Sequence, residues 1–186
     1  MKTLIALCLL FAANFASADT RSMSLNWESP VDKRTISGFL LQQDSLPENA
    51  PVAILLHAMN TDSYHWIADG IPTYGGKITN MLVDKGYRVL ALDARAHGHR
   101  KYGDSAEKRM NKANEGDKDS YYEMIKNTLK DYEFVLGKIE RNFSKADHML
   151  AVGYSMGAQM AIMLAAENPR IDHLITMVPP HAGNVM

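Results

Sequence analysis

The chain has 186 residues, 46% of them hydrophobic and 22% charged, with a formal net charge of -1, which is the range of one ordinary globular domain able to bury a core. So even a balance, with no long block of like charge, offers no footprint for nucleic acid or for an anionic membrane surface. One cysteine, Cys8, excludes a disulfide framework.

The first stretch, "MKTLIALCLLFAANFASADT", has a basic start at Lys2, an apolar run over residues 4–13 and a small-residue end at Ala16-Ser17-Ala18, the layout of a secretory signal. The run falls well short of the roughly 20 residues that a bilayer-spanning helix needs. Residues 1–18 are therefore expected to be removed, leaving 19–186 as one exported domain, periplasmic or secreted, with no membrane span. Cys8 leaves with the signal, so the mature chain has no thiol nucleophile.

Beyond the signal, "RSMSLNWES" alternates Met23, Leu25 and Trp27 with polar neighbours, the period of a half-buried strand. "TISGFLLQQ" follows as a second strand, with a turn at Pro30-Val31-Asp32. Residues 52–56 are unbroken apolar, as in a strand covered on both faces of a parallel sheet, and residues 87–92 repeat that pattern. Between them Ile78, Met81, Leu82 and Lys85 have helical spacing, and Gly86 supplies a C-terminal stop. Residues 101–119 are polar with charges of both signs and read as a solvated loop, or alternatively as a lid over a pocket. Ser120 with Glu123 matches a capping box, ahead of an apolar stripe at Ile125, Leu129, Tyr132, Leu136, Ile139 and Phe143. "HMLAVGY" reads as a third buried strand, "MGAQMAIMLAAEN" as a helix ended by Pro169, and "HLITMVPP" as a fourth buried strand. The alternation predicts an α/β fold: a mostly parallel sheet with helices on both faces, preceded by an antiparallel pair.

Gly153-Tyr154-Ser155-Met156-Gly157 has the form G-x-S-x-G and falls where a buried strand hands over to a helix. Such a setting makes a nucleophile elbow, a sharp turn that presents the hydroxyl at the end of the sheet with glycines where side chains would collide. A capping serine in an ordinary turn is the plainer reading. The helix that follows keeps Gly157, Ala158, Ala161 and Ala165 small. "LLHAMN" ends an earlier buried strand and places the 57–60 loop where backbone N–H groups can meet the oxyanion of an acyl-transfer intermediate.

Over roughly residues 40–180 the sequence resembles the α/β-hydrolase family. "HAMN" resembles its His-Gly oxyanion loop, "LDARAHGHR" its Asp-x-Arg-Gly-x-Gly loop, and "GYSMG" its nucleophile elbow. The resemblance implies Ser155 as nucleophile and the backbone N–H groups of Met59 and Met156 as oxyanion donors. It also makes His57 a structural loop histidine and implies no cofactor. Two departures stand out: Ala58 and Ala96 occupy positions where the family has glycine. His97 and His99 beside Asp93 suggest a zinc site by residue type, but their place in the loop motif argues against one. His65, His148 and His173 read as surface or packing residues. Met59, Met149, Met156, Met160 and Met163 read first as core filling and second as the lining of an acyl pocket.

The family's triad runs in the order Ser, acid, His, and after Ser155 the titratable residues are Glu167, Asp172, His173 and His181. Of these His181 alone follows the last predicted strand at its carboxyl end, which makes it the one candidate base. Three readings result: a serine hydrolase of the esterase or lipase type lacking its C-terminal strands, a compact hydrolase using His181, or a non-catalytic exported binding protein on a hydrolase scaffold. The first expects a small-molecule ester or acyl substrate.

Overall fold

A computed structural model describes residues 19–68 and 75–179. Residues 1–18, expected to be a signal, and His181 lie outside the described residues. Six strands form one sheet in the order β1-β2-β4-β3-β5-β6: β1 (Thr20–Glu28), β2 (Thr35–Gln43), β3 (Val52–Leu56), β4 (Arg88–Leu92), β5 (Met149–Tyr154) and β6 (Ile171–Met177). β1 and β2 form the expected antiparallel pair and β2 runs antiparallel to β4, while β4, β3, β5 and β6 are mutually parallel.

Each parallel connection carries a helix. α1 (Gly75–Asp84) joins β3 to β4, α2 (Ala106–Asn114) and α3 (Asp119–Asn142) join β4 to β5, and α4 (Met156–Glu167) joins β5 to β6. From β3 the chain steps one way to β4, then back across to β5. Right-handed crossovers in opposite directions put their helices on opposite faces of the sheet. The core divides accordingly. Val52, Ile54 and Leu56 pack with Leu129, Leu136 and Met160 on the α3 and α4 side, whereas Ala53 and Leu55 pack with Trp66 and Leu82 on the α1 side. Covered on both faces, β3 and β4 are buried at every position, which is why they read as continuous apolar runs.

α3 is tied to the sheet by one buried phenol. Tyr132 Oη donates to the carbonyl of Leu55 at 3.0 Å and accepts from the Leu92 N–H at 3.2 Å, so one side chain spans the ends of β3 and β4. The residue before it, Asp131, is fully buried and accepts from Ser29 Oγ, Arg95 Nε and Arg100 Nη2 at 2.6, 3.0 and 2.7 Å. Two guanidinium groups on one carboxylate compensate the cost of burying its charge.

Three expectations need correction. Residues 106–114 form α2, where a loop was expected. Ser105 caps it by accepting from the Lys108 N–H, but only Ala106 and Ala113 are buried, so no apolar stripe announces it. The Ser120–Glu123 capping box does not form: Lys118 occupies the cap position of α3, and the Ser120 hydroxyl accepts from Arg109 Nη1 instead. β6 is not a buried strand. It lies at the sheet edge with Leu174 and Ile175 about half exposed, because burial needs a covering element on each face and a second neighbouring strand, and an edge strand has one neighbour.

Candidate active site

β3 and β5 are adjacent and parallel, with Leu56 opposite Gly153. The 57–60 loop and the turn that starts α4 therefore emerge side by side at the carboxyl end of the sheet. Ser155 occupies that turn with φ 53° and ψ -116°, a backbone conformation rarely held by a residue with a side chain. Packing enforces it. A Cβ on Gly153 would strike the Gly157 carbonyl, and one on Gly157 would strike the carbonyls of Leu56 and His57. Both outer positions of the motif must be glycine if strand, turn and helix are to close this tightly. The Ser155 N–H donates to the Met177 carbonyl at 2.9 Å, which anchors the turn to β6. The side chain is half-buried, and its hydroxyl has no hydrogen-bond partner among the described residues.

The segments beside this position carry two backbone donors. Met156 opens α4, where first-turn N–H groups have no intrahelical acceptor and the helix dipole favours negative charge. Met59 lies just beyond β3, and its N–H meets no acceptor among the described residues. Met149, Met156 and Met160 are buried, with Met59 and Met163 partly so, all against the α3 and α4 side of the core. Core filling is therefore their observed role.

His57 is structural, as expected. Its Nδ1–H donates to the Ala58 carbonyl at 2.8 Å and its Nε2 accepts from the Ala94 N–H at 2.9 Å, which sets the tautomer. Complete burial and the nearby His97 push its pKa down to about 4, so the ring is neutral with both nitrogens engaged. His97 packs edge-on against it at 5.0 Å between centroids, and bonds through Nδ1 to the Arg95 carbonyl.

Asp93 organises the loop after β4. Its carboxylate accepts from Ser37 Oγ at 3.0 Å, from Ser63 N–H and Oγ at 3.0 and 2.5 Å, and from the His99 N–H at 2.9 Å. Burial alone would raise its pKa, but these four donors together hold it below the ordinary carboxylate value. A carboxylate so occupied has little capacity left for a metal. Among the described residues no group of three or more His, Cys, Asp or Glu side chains is arranged to hold one.

Of the titratable residues after Ser155, none within the described part approaches it. Asp172 and His173 lie inside β6 rather than before it, still at the far end of the sheet. Asp172 accepts from the Met149 N–H and His173 packs on His148. Glu167 is exposed at the end of α4. His65, read as a surface or packing residue, packs with its ring parallel to that of Tyr154 at 6.4 Å, beside the elbow. No periodicity marks it, because it sits in a single 3-10 turn, Ser63–Trp66. Trp66, next to it, is buried in the core.

Among solved structures the chain is similar to a cold-adapted esterase from an Arctic intertidal metagenomic library, with TM-score 0.60, 19% identity, and 84% of this chain and 60% of that one covered. It is also similar to an esterase of Pyrococcus furiosus, with TM-score 0.56, 24% identity, and 88% and 51% covered. A third likeness is to S-formylglutathione hydrolase of Staphylococcus aureus, with TM-score 0.59, 17% identity, and 91% and 63% covered. At these identities the likeness establishes the fold, that of the α/β-hydrolases. A curated relative, an uncharacterized protein of Rickettsia prowazekii, is 28% identical over 140 residues, which are 71% of this chain and 46% of that protein. The chain thus spans about half to three-fifths of the length of these relatives. A family model described as serine aminopeptidase, S33, matches residues 67–185. That match takes in the loop after β4, the elbow and β6, and with it the chain belongs to the serine aminopeptidase S33 family.

Proposed function

We propose that this chain carries the nucleophile and the oxyanion site of a serine hydrolase that acts on a small carboxylic ester. Ser155 Oγ adds to the acyl carbonyl, the Met59 and Met156 N–H groups receive the oxyanion, the ester C–O bond breaks and the alcohol leaves with the serine's proton, and water then cleaves the acyl-enzyme to the carboxylic acid and free Ser155. The observation that carries this reading is the strained φ of Ser155 between two glycines that tolerate no side chain. A turn that serves only to connect strand to helix has no need of that strain. The uncommitted Met59 N–H supports the same reading, as do the two esterases and the thioester hydrolase to which the fold is similar. Export after removal of residues 1–18 belongs to this proposal, as does His181 as the candidate base. No described helix is long and apolar enough to cross a membrane.

The Ser155 hydroxyl is without a described base, so turnover of an activated ester by this chain is slow. That slow turnover of p-nitrophenyl acetate falls to the solvent background in Ser155→Ala. A rate unchanged by the substitution contradicts the assignment. A second reading, a non-catalytic exported binding protein, rests on the fold alone, since a fold does not fix function. It predicts no difference between the two chains from the outset.

A further inference from the structure

A cavity of about 120 Å³ lies away from Ser155, between the β1–β2 turn, the loop after β4, and the facing sides of α2 and α3. Its lining includes four arginines, Arg34, Arg95, Arg100 and Arg109, against two carboxylates, Asp32 and Glu123. Arg95 is neutralised by Asp32 at 2.6 Å and by Asp131, and Arg100 shares Asp131 with it. Arg34 and Arg109 are different. The backbone of Arg34 bonds Ser29 and the Asp32 carboxylate, but among the described residues its guanidinium meets only the ring of Tyr102, with the guanidinium carbon 4.6 Å from the centroid. Arg109 donates to neutral oxygens, the carbonyls of Asp104 and Ser120 and the Ser120 hydroxyl. Neither guanidinium has a carboxylate partner there.

A second observation concerns the same wall. Arg100 is 2% exposed, yet its buried Nε–H has no acceptor among the described residues. A donor on a charged group is rarely left without a partner in the interior. The cavity thus combines an excess of guanidinium charge with space for a small ligand, and an unsatisfied donor lies buried behind its wall. Guanidinium forks match tetrahedral oxyanions bidentately.

We propose that this cavity is a binding site for a small tetrahedral oxyanion, phosphate or sulfate, either free or as the terminus of a monoester. The bound anion bridges Arg34 on the β1–β2 turn and Arg109 on α2, over the Asp131 cluster. The proposal stands independently of the role of Ser155.

Calorimetric titration of the full chain at low ionic strength with inorganic phosphate, sulfate and glycerol 1-phosphate tests it. One-to-one binding of at least one of these ligands is expected, together with a rise in thermal midpoint that saturates with it. Equal binding of phosphate and sulfate identifies a free-anion site, and tighter binding of the monoester identifies its phosphoryl end as the ligand. Arg34→Ala, at an exposed side chain, and Arg109→Ala are each expected to weaken binding about tenfold or more, with the thermal midpoint of the anion-free protein as the check on folding. Glycerol without phosphate does not bind. Absence of binding by all three anions, or binding unchanged in folded Arg34→Ala, overturns the proposal.

Discussion

A methyl group on Gly157 would fall inside the carbonyl of Leu56, on the adjacent strand. The start of α4 is thereby pressed against the end of β3, and the same contact sets Ser155 beside the 57–60 loop. Gly157→Ala is expected to destabilise the fold by about 2 to 3 kcal/mol, the upper part of the range for overpacking, because the obstacle is backbone rather than a movable side chain. Chemical denaturation with circular dichroism measures this. A loss below about 0.5 kcal/mol would mean that the elbow is looser than described.

Ala96 has φ 64°, the left-handed region that favours glycine. A side chain there costs about 1 to 2 kcal/mol, while the extra freedom of glycine in the unfolded chain costs about 0.4 to 1 kcal/mol. Ala96→Gly is therefore expected to raise stability by up to about 1.6 kcal/mol, read as a higher denaturant midpoint with an unchanged slope. Ala58, the other departure from the family's glycines, is not among the positive-φ residues, and no such gain is expected there.

How far the sequence foretold the fold depended on whether the relevant pattern was local. The runs of β3 and β4 and the glycines of the elbow were legible, since each reports a constraint on its own segment. α2 was not, because a helix that buries only Ala106 and Ala113 has the composition of a surface loop. Asp131 lies within the α3 stripe, and nothing in its neighbourhood indicates that Arg95 and Arg100 close over it. The apolar residues of β6 read as a core strand, since exposure at a sheet edge depends on topology and not on the strand's own sequence. At the site, the tight glycine-flanked turn at Ser155 was readable from motif and strand order, whereas the packing of His65 on Tyr154 arises only in three dimensions.

Tyr132→Phe removes the hydroxyl that serves Leu55 and Leu92 without changing the apolar packing of the ring. The buried Leu92 N–H and two carbonyls lose a partner, which costs about 1 to 3 kcal/mol. A double-mutant cycle with Asp131→Asn tests whether the two residues hold α3 independently. Stability equal to that of the parent would show that the phenol carries no net hydrogen-bond energy.

Acid should weaken the fold in a defined window. His57 has a folded pKa of about 4 against 6.5 for the free side chain, so the unfolded chain takes up a proton that the native state refuses. Stability is full above about pH 6.5, falls as pH drops towards 4, and loses up to roughly 3 kcal/mol on this account before levelling off. His97, also lowered by burial, acts with the same sign. Asp93, held low by its donors, adds a further loss only below the ordinary carboxylate range. Denaturant midpoints across the window measure the slope, and His57→Gln should flatten it. A midpoint constant from about pH 7 to about pH 4.5 would contradict a neutral, buried His57.

The central claim is that Ser155 stands in a nucleophile elbow facing two oxyanion donors. A fluorophosphonate reagent bonds covalently to a serine whose adduct oxygen is received by such donors, and intact-mass and peptide mass spectrometry locate the adduct. The account predicts a single adduct on the peptide that contains Ser155, formed slowly, abolished in Ser155→Ala and retained in His57→Gln. A folded chain that remains unmodified, or is modified only at another residue, would contradict it.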